Sequence, residues 1–279
     1  MTGDGAGLTD RPADQTISFL SDYGSADEFV GVVHSVIRGI APQVTVVDIC
    51  HEVPPHDVRA ASLTLVRAVQ YLAPGVVLAV VDPGVATGRR AIAVEAADDR
   101  GTIFVGPDNG LLASAVAIVG GAVRAVELTN DDYHLPAPGP TFAGRDIFAP
   151  AAAYLAAGVD LRELGPPVDP HSLRPALVPL PRAEGDVIMA EVLWVDRFGN
   201  VQLNVGPDEV ESLGPRVLVR WGDATRTVVR VTAYAEVAAG QVGLLVDSYG
   251  MMAIALDQAS AADELGLAAG DGVSLQAPG

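Results

Sequence analysis

Short runs rich in valine and isoleucine alternate with stretches of helical spacing through the first two thirds of the chain. This succession constrains the fold more than any single motif. ISFL (17–20), VTVVDI (44–49), VVLAVVD (76–82), AIAVEA (91–96) and TIFVG (102–106) read as buried strands. Between them, residues 27–40 and 56–72 carry apolar side chains three and four apart, with Asp27 and Asp57 at the helix starts. Strand, helix, strand order predicts an α/β fold with a mostly parallel sheet covered by helices.

That pattern stops at PPVDPHSLRPALVPLPR, where repeated prolines can hold neither a helix interior nor a central strand. Beyond it, VIMAEVLWVD, NVQLNV, PRVLVRWG, RTVVRVT and QVGLLVDS are short and separated by Gly, Asp and Pro without intervening helices. They predict a small antiparallel β domain or barrel. The expected organisation is a loose, solvated tail over 1–14, an α/β domain over 15–165, an extended linker over 166–184 and a β-barrel over 185–279.

All 17 basic residues are arginine, so every mechanism that needs a lysine amine is excluded, including Schiff bases and a P-loop lysine. With 35 acidic residues the net charge is −18, which repels nucleic acid and attracts small cations. The lone Cys50 offers no disulfide partner and fits a reducing cytoplasm. No apolar run is long enough for a bilayer crossing, so no membrane partner is expected. The five histidines, His34, His51, His56, His134 and His171, do not stand at metal-ligand spacing, and no catalytic metal is expected.

Polar segments cluster where the predicted strands end: SDYGSADE after the first, DPGVATGRR after the third and GPDNG after the fifth. In a parallel sheet the carboxyl ends of the strands form a common crevice, so these loops should converge on one ligand. Asp22 and Asp27 would face sugar hydroxyls or an amine. Equally, Asp22 could turn the chain and Asp27 cap a helix.

Taken in order, FLSDYGSADEFVG, VTVVDICHEVPPHDVRAA, VVDPGVATGRR, FVGPDNGLL, TFAGRDIFAPAAAYLAAG, VDRFGNVQLN and DSYGMMAIALDQAS are more specific than any one of them. Their order and spacing resemble the S-adenosylmethionine-dependent halide and hydroxide adenosyltransferases, the fluorinases and chlorinases together with the hydroxide-using hydrolases. The resemblance spans nearly the whole chain after residue 15. It implies an N-terminal Rossmann-like α/β domain, a C-terminal β-barrel, and a homotrimer whose active sites lie between neighbouring subunits. S-adenosylmethionine would be the substrate, adenosine and methionine the products, with no further cofactor.

By the same resemblance, Asp22 holds the ribose hydroxyls with residues 54–57 nearby, and Phe142 lines the reacting pocket together with Val85. Asn200 and Tyr234 hold the adenine, the first by its amide and the second by stacking. Asp27, Asp196 and Ser248 hold the methionine end. For Phe198 and Tyr234 ordinary packing in the barrel is the competing reading.

The choice of nucleophile rests on Asp82 and Arg89. Halide-using relatives have no carboxylate at the position of Asp82, where it would repel an anionic nucleophile. Asp82 followed seven residues later by Arg89 resembles two members of the Asp-Arg-His triad of the hydroxide branch. Asp82 would orient water and Arg89 would fix that carboxylate.

The third triad position, a histidine directly before GRD, is Ala143 here. Either water is activated by Asp82 and Arg89 alone, or the histidine has been removed by design. Loss of a general acid or base costs roughly 100-fold to 10,000-fold in rate, so binding would outlast turnover. Asp257 stands where relatives tend to have asparagine. The expected function is hydrolysis of S-adenosylmethionine; the alternatives are a halide adenosyltransferase and a catalytically silent binding protein.

Overall fold

The computed structural model describes residues 16–176 and 178–279, so the tail expected over 1–14 lies outside the described residues. The chain divides into two compact units between residues 177 and 178.

The first unit comprises β1 (Thr16–Ser21), α1 (Phe29–Ile40), β2 (Thr45–Cys50), α2 (Val58–Val69), β3 (Gly75–Val80), β4 (Ala91–Ala96), β5 (Ile103–Pro107), α3 (Ala113–Ile118), β6 (Ala122–Glu127), α4 (Ala149–Ala156) and β7 (Pro167–Val168). The strands form one sheet in the order β2-β1-β3-β5-β4-β6-β7. β2, β1, β3 and β5 are parallel, while β4 runs antiparallel to both β5 and β6. The connection over 97–102 explains the reversal, because a parallel neighbour would need a crossover of a dozen or more residues.

The apolar runs are continuous because the sheet is covered on both faces. Val76, Leu78 and Val80 of β3 pack in one core with Val33 and Ile37 of α1 and Ala152 and Leu155 of α4. Val77 and Ala79 pack in the other with Ala61, Leu65 and Val69 of α2 and Ala115 of α3. Phe19, Phe104 and Phe148 are fully buried. Helix α2 begins where expected, since the Asp57 side chain accepts from Ala60 N at 2.8 Å. Helix α1 does not begin at Asp27: its N-cap is Glu28, whose side chain makes no capping bond, and Asp27 is exposed ahead of it.

The proline-rich segment expected as a linker carries one short strand for each sheet. Pro167–Val168 pairs with β6 at the edge of the first, where a missing N–H does no harm. Residues 170–174 are also tied down: Arg90 donates to Ser172 Oγ at 3.0 Å and Ser172 O at 2.7 Å, and Arg174 N donates to buried Asp108 at 2.8 Å.

The second unit contains β8 (Arg182–Glu184), β9 (Val187–Val195), β10 (Val201–Leu203), α5 (Pro207–Val210), β11 (Arg216–Trp221), β12 (Ala224–Arg230), β13 (Val242–Val246), β14 (Met252–Ala255), α6 (Ala261–Leu265) and β15 (Gly272–Gln276). Seven strands close a barrel, β10-β14-β13-β12-β11-β15-β9 and back to β10, with β8 attached to β9. Val192, Val217, Val219, Leu244, Ile254 and Leu275 fill its interior.

Two expectations need correction here. The β12–β13 pair is parallel, which the long connection over 231–241 permits. Two short helices also interrupt the strands, favoured by Pro207 in the first turn of α5 and by the Ser260 cap and left-handed Gly266 that bracket α6.

Candidate active site

In the first unit, β1 has β2 on one side and β3 on the other, so the chain leaves β1 in a different direction from that in which it enters β3. The crevice beyond the carboxyl ends of such a pair is where open α/β sheets place ligands. Asp22 directly follows β1, and Asp82 lies two residues beyond β3.

Asp22 holds more than its own turn. Its Oδ2 accepts from His56 N at 2.9 Å, so the carboxylate clamps the loop between β2 and α2. A second tie, Gly24 N to His51 O at 2.7 Å, joins the same two segments. His56 itself has φ +68, a left-handed conformation uncommon outside glycine.

Arg89 grips Asp82. Its Nε donates to both carboxylate oxygens at 2.9 Å, and its Nη2 makes a further short contact with Oδ2. The side chains are only 6% and 11% exposed, and the guanidinium lies 5.1 Å from the centroid of the Phe148 ring. The loop between them turns through Ala86 at φ +61, another left-handed non-glycine. A buried bidentate pair leaves the carboxylate little freedom to swing.

Asp22, Asp82, Val85, Phe142 and Ala143 line one cavity of about 260 Å³. Tyr23 and Phe29, which sequence reasoning had not singled out, line it too, as does His56 from the 54–57 segment expected near the ribose. Phe142 meets Tyr23 and Phe29 edge-on, with centroids 5.7 and 4.9 Å apart. Burial drives the Tyr23 hydroxyl well above its usual range, and the charges of Asp22 and Asp82 add to the effect, so Tyr23 stays a protonated donor. Gly144 makes room for it: a Cβ there would lie 2.1 Å from the Tyr23 hydroxyl. Ala143 precedes a π-helical turn over Gly144–Phe148 that feeds α4, a wide turn often found at functional sites.

Asp27 is not among the lining residues of this cavity. The position of Tyr23 inside the SDYG motif was a signal for its role. His56 was reached only through the 54–57 segment that the family resemblance sets beside the ribose, because an isolated histidine in a loop looks the same whether or not it faces a cavity.

The remaining predicted residues lie on the barrel unit. Asp196 organises the RFGN turn: Oδ1 accepts from the N–H groups of Phe198 and Asn200 at 2.8 Å each, and Oδ2 accepts from Asn200 Nδ2 at 2.8 Å. One N–H of the Asn200 side-chain amide, the group expected to hold adenine, is therefore engaged within its own turn. Gly199 is left-handed at φ +83, and a Cβ there would strike Ser260.

Phe198 is 77% and Tyr234 44% exposed, so neither is ordinary barrel packing. Partial burial raises the Tyr234 hydroxyl, with Asp196 and Asp247 adding to the effect. The Asp247 carboxylate accepts from Tyr249 N at 2.8 Å and from Met251 N at 3.0 Å, while neighbouring Ser248 is exposed. Asp257 is exposed in the turn after β14. This unit thus presents aromatic faces beside fixed carboxylates.

Residues 17–165 match the family described as the SAM hydroxide adenosyltransferase N-terminal domain, and residues 190–274 match its C-terminal domain. An (R)-S-adenosyl-L-methionine hydrolase from Salinispora tropica is 48% identical over 94% of this chain and 97% of its own length. A fluorinase from an Actinoplanes species is 29% identical over 91% and 95%. Among solved structures, an uncharacterized conserved protein from Thermotoga maritima superposes with a TM-score of 0.86 at 34% identity, covering 93% of this chain and 99% of that one. The chain belongs to the SAM hydroxide adenosyltransferase family. Among the described residues no helix is long and apolar enough to cross a membrane.

Proposed function

We propose that this protein hydrolyses S-adenosyl-L-methionine to adenosine and L-methionine, with water attacking the ribose 5′ carbon in line with the bond to sulfur. The observation that carries this reading is the Asp82 carboxylate, fixed by Arg89 and lining the same cavity as Asp22. The new bond joins the water oxygen to the 5′ carbon, the electron pair of the breaking bond passes to sulfur, and the water proton leaves by way of Asp82. Methionine departs as a neutral thioether, so the leaving group needs neither a proton nor a Lewis acid.

Substrate recognition is shared in this reading. Asp22 takes the ribose hydroxyls, while Phe142 and Val85 keep bulk water from the reacting carbon. Tyr234 and Phe198 offer faces for adenine, and Asn200 turns the carbonyl end of its amide toward the base. Asp27, Asp196 and Ser248 hold the methionine ammonium and carboxylate. The first group and the barrel group come from neighbouring subunits of a homotrimer. A net charge of −18 draws in a substrate that carries a sulfonium and an ammonium. We take the (R) sulfonium epimer named for the Salinispora relative as the substrate. A reducing cytoplasm suits the free Cys50 thiol.

The greater similarity to a named hydrolase than to a fluorinase supports water over halide. One observation favours a silent binding protein instead: the cavity wall at position 143 is a methyl group. Chromatography of products after incubation with S-adenosylmethionine and excess chloride or fluoride separates the three. Hydrolysis gives adenosine alone. A 5′-halonucleoside would overturn the choice of nucleophile, and calorimetric binding without product would establish the silent reading.

A further inference from the structure

The fold brings together three side chains that are separated in the sequence. His34 extends from α1, while Asp48 lies in β2 and His51 directly after it. Nε2 of His34 is 2.8 Å and Nε2 of His51 is 3.0 Å from the same atom, Asp48 Oδ1. All three donor atoms lie within 4.8 Å of one another. Sequence spacing could not reveal this set because its first member comes from a different element.

From this convergence we infer a binding site for a borderline divalent cation, Zn²⁺ or a first-row neighbour, held by His34, Asp48 and His51. Nε2 of His51 is shielded from solvent and has no well-directed hydrogen-bond partner, although it stands 3.0 Å from the Asp48 carboxylate. The other ring nitrogen is anchored: Nδ1 lies 2.8 Å from Ser21 Oγ, the outer contact that fixes a metal-binding imidazole by its far side. The buried Phe19 ring braces both imidazoles, with centroids 4.6 Å from His51 and 6.2 Å from His34.

Two imidazoles with one carboxylate select zinc-like ions over Mg²⁺ and Ca²⁺, which prefer all-oxygen sets. Ligands around tetrahedral zinc stand about 3.3 Å apart, so small side-chain rotations would open the present spacing to admit the ion. His34 and Asp48 are partly exposed, leaving the remaining coordination positions to water.

The site is tested on the full-length, tag-free protein by calorimetric titration with Zn²⁺ and by the visible absorption of bound Co²⁺. One equivalent should bind with micromolar or tighter affinity. His34→Ala and Asp48→Asn, both at partly exposed positions, should abolish saturable binding while circular dichroism stays unchanged. Ser21→Ala should weaken it roughly 10- to 100-fold, and His171→Ala should leave it intact. The absence of saturable Zn²⁺ binding, or binding indifferent to both His34→Ala and Asp48→Asn, would overturn the assignment. Neither result depends on turnover of S-adenosylmethionine.

Discussion

Asp82 is held at both oxygens by one guanidinium inside a largely dry wall, and that geometry gives its replacement a distinct signature. In Asp82→Asn the shape persists but the proton acceptor is lost. Adenosine formation should fall by about 100-fold to 10,000-fold, while calorimetric affinity for S-adenosylmethionine stays within a few-fold; unchanged turnover would remove Asp82 from the chemistry. Ala143→His should raise the rate by a comparable factor if an imidazole at that wall completes the site, and an assay of initial rates decides it. Legibility at this scale was uneven. Asp22, Asp82 and Ala143 could be read because the motifs around them carry family information, and the cavity does gather them. The helix cap that was one of two readings of Asp27 is not formed, because the helix starts two residues later and Glu28 takes its N-cap position; an acidic residue ahead of an apolar run looks like a cap in either case. His34, Asp48 and His51 were unreadable as a set, since only the packing of α1 against β2 joins them.

The helices and strands were better forecast than the contacts between them. Continuous apolar runs announced β1 and β3, because a strand covered on both faces has no polar side to betray its period. The same runs could not disclose direction, so β4 was grouped with the parallel strands although it pairs antiparallel. The start of α2 was legible in Asp57, whose side chain closes the first turn. Asp57→Ala should therefore cost about 1 kcal/mol, read as faster hydrogen exchange of the α2 amides with exchange in the barrel strands unaltered. Equal acceleration in both units would show that the cap is not acting locally. The π-helical turn over Gly144–Phe148 had no sequence signal of its own, yet it sets where Ala143 and Gly144 meet Tyr23.

At the scale of the whole molecule, the sequence changes from alternating helices and strands to helix-poor β segments, and the chain divides into two compact units within the proline-rich stretch. Less legible was that this stretch supplies an edge strand to each sheet, because proline weighs against strands everywhere except at edges. The barrel expected from the run of short strands is present, closed by the β10–β9 pairing. The candidate residues are distributed over both units. The central claim is that water, directed by Asp82, attacks the 5′ carbon. It is tested most directly by incubating the enzyme with S-adenosylmethionine in heavy-oxygen water and analysing the nucleoside by mass spectrometry. The account predicts adenosine with the heavy oxygen in its 5′ hydroxyl and an equal yield of methionine; methylthioadenosine, S-adenosylhomocysteine or unlabelled adenosine would contradict it.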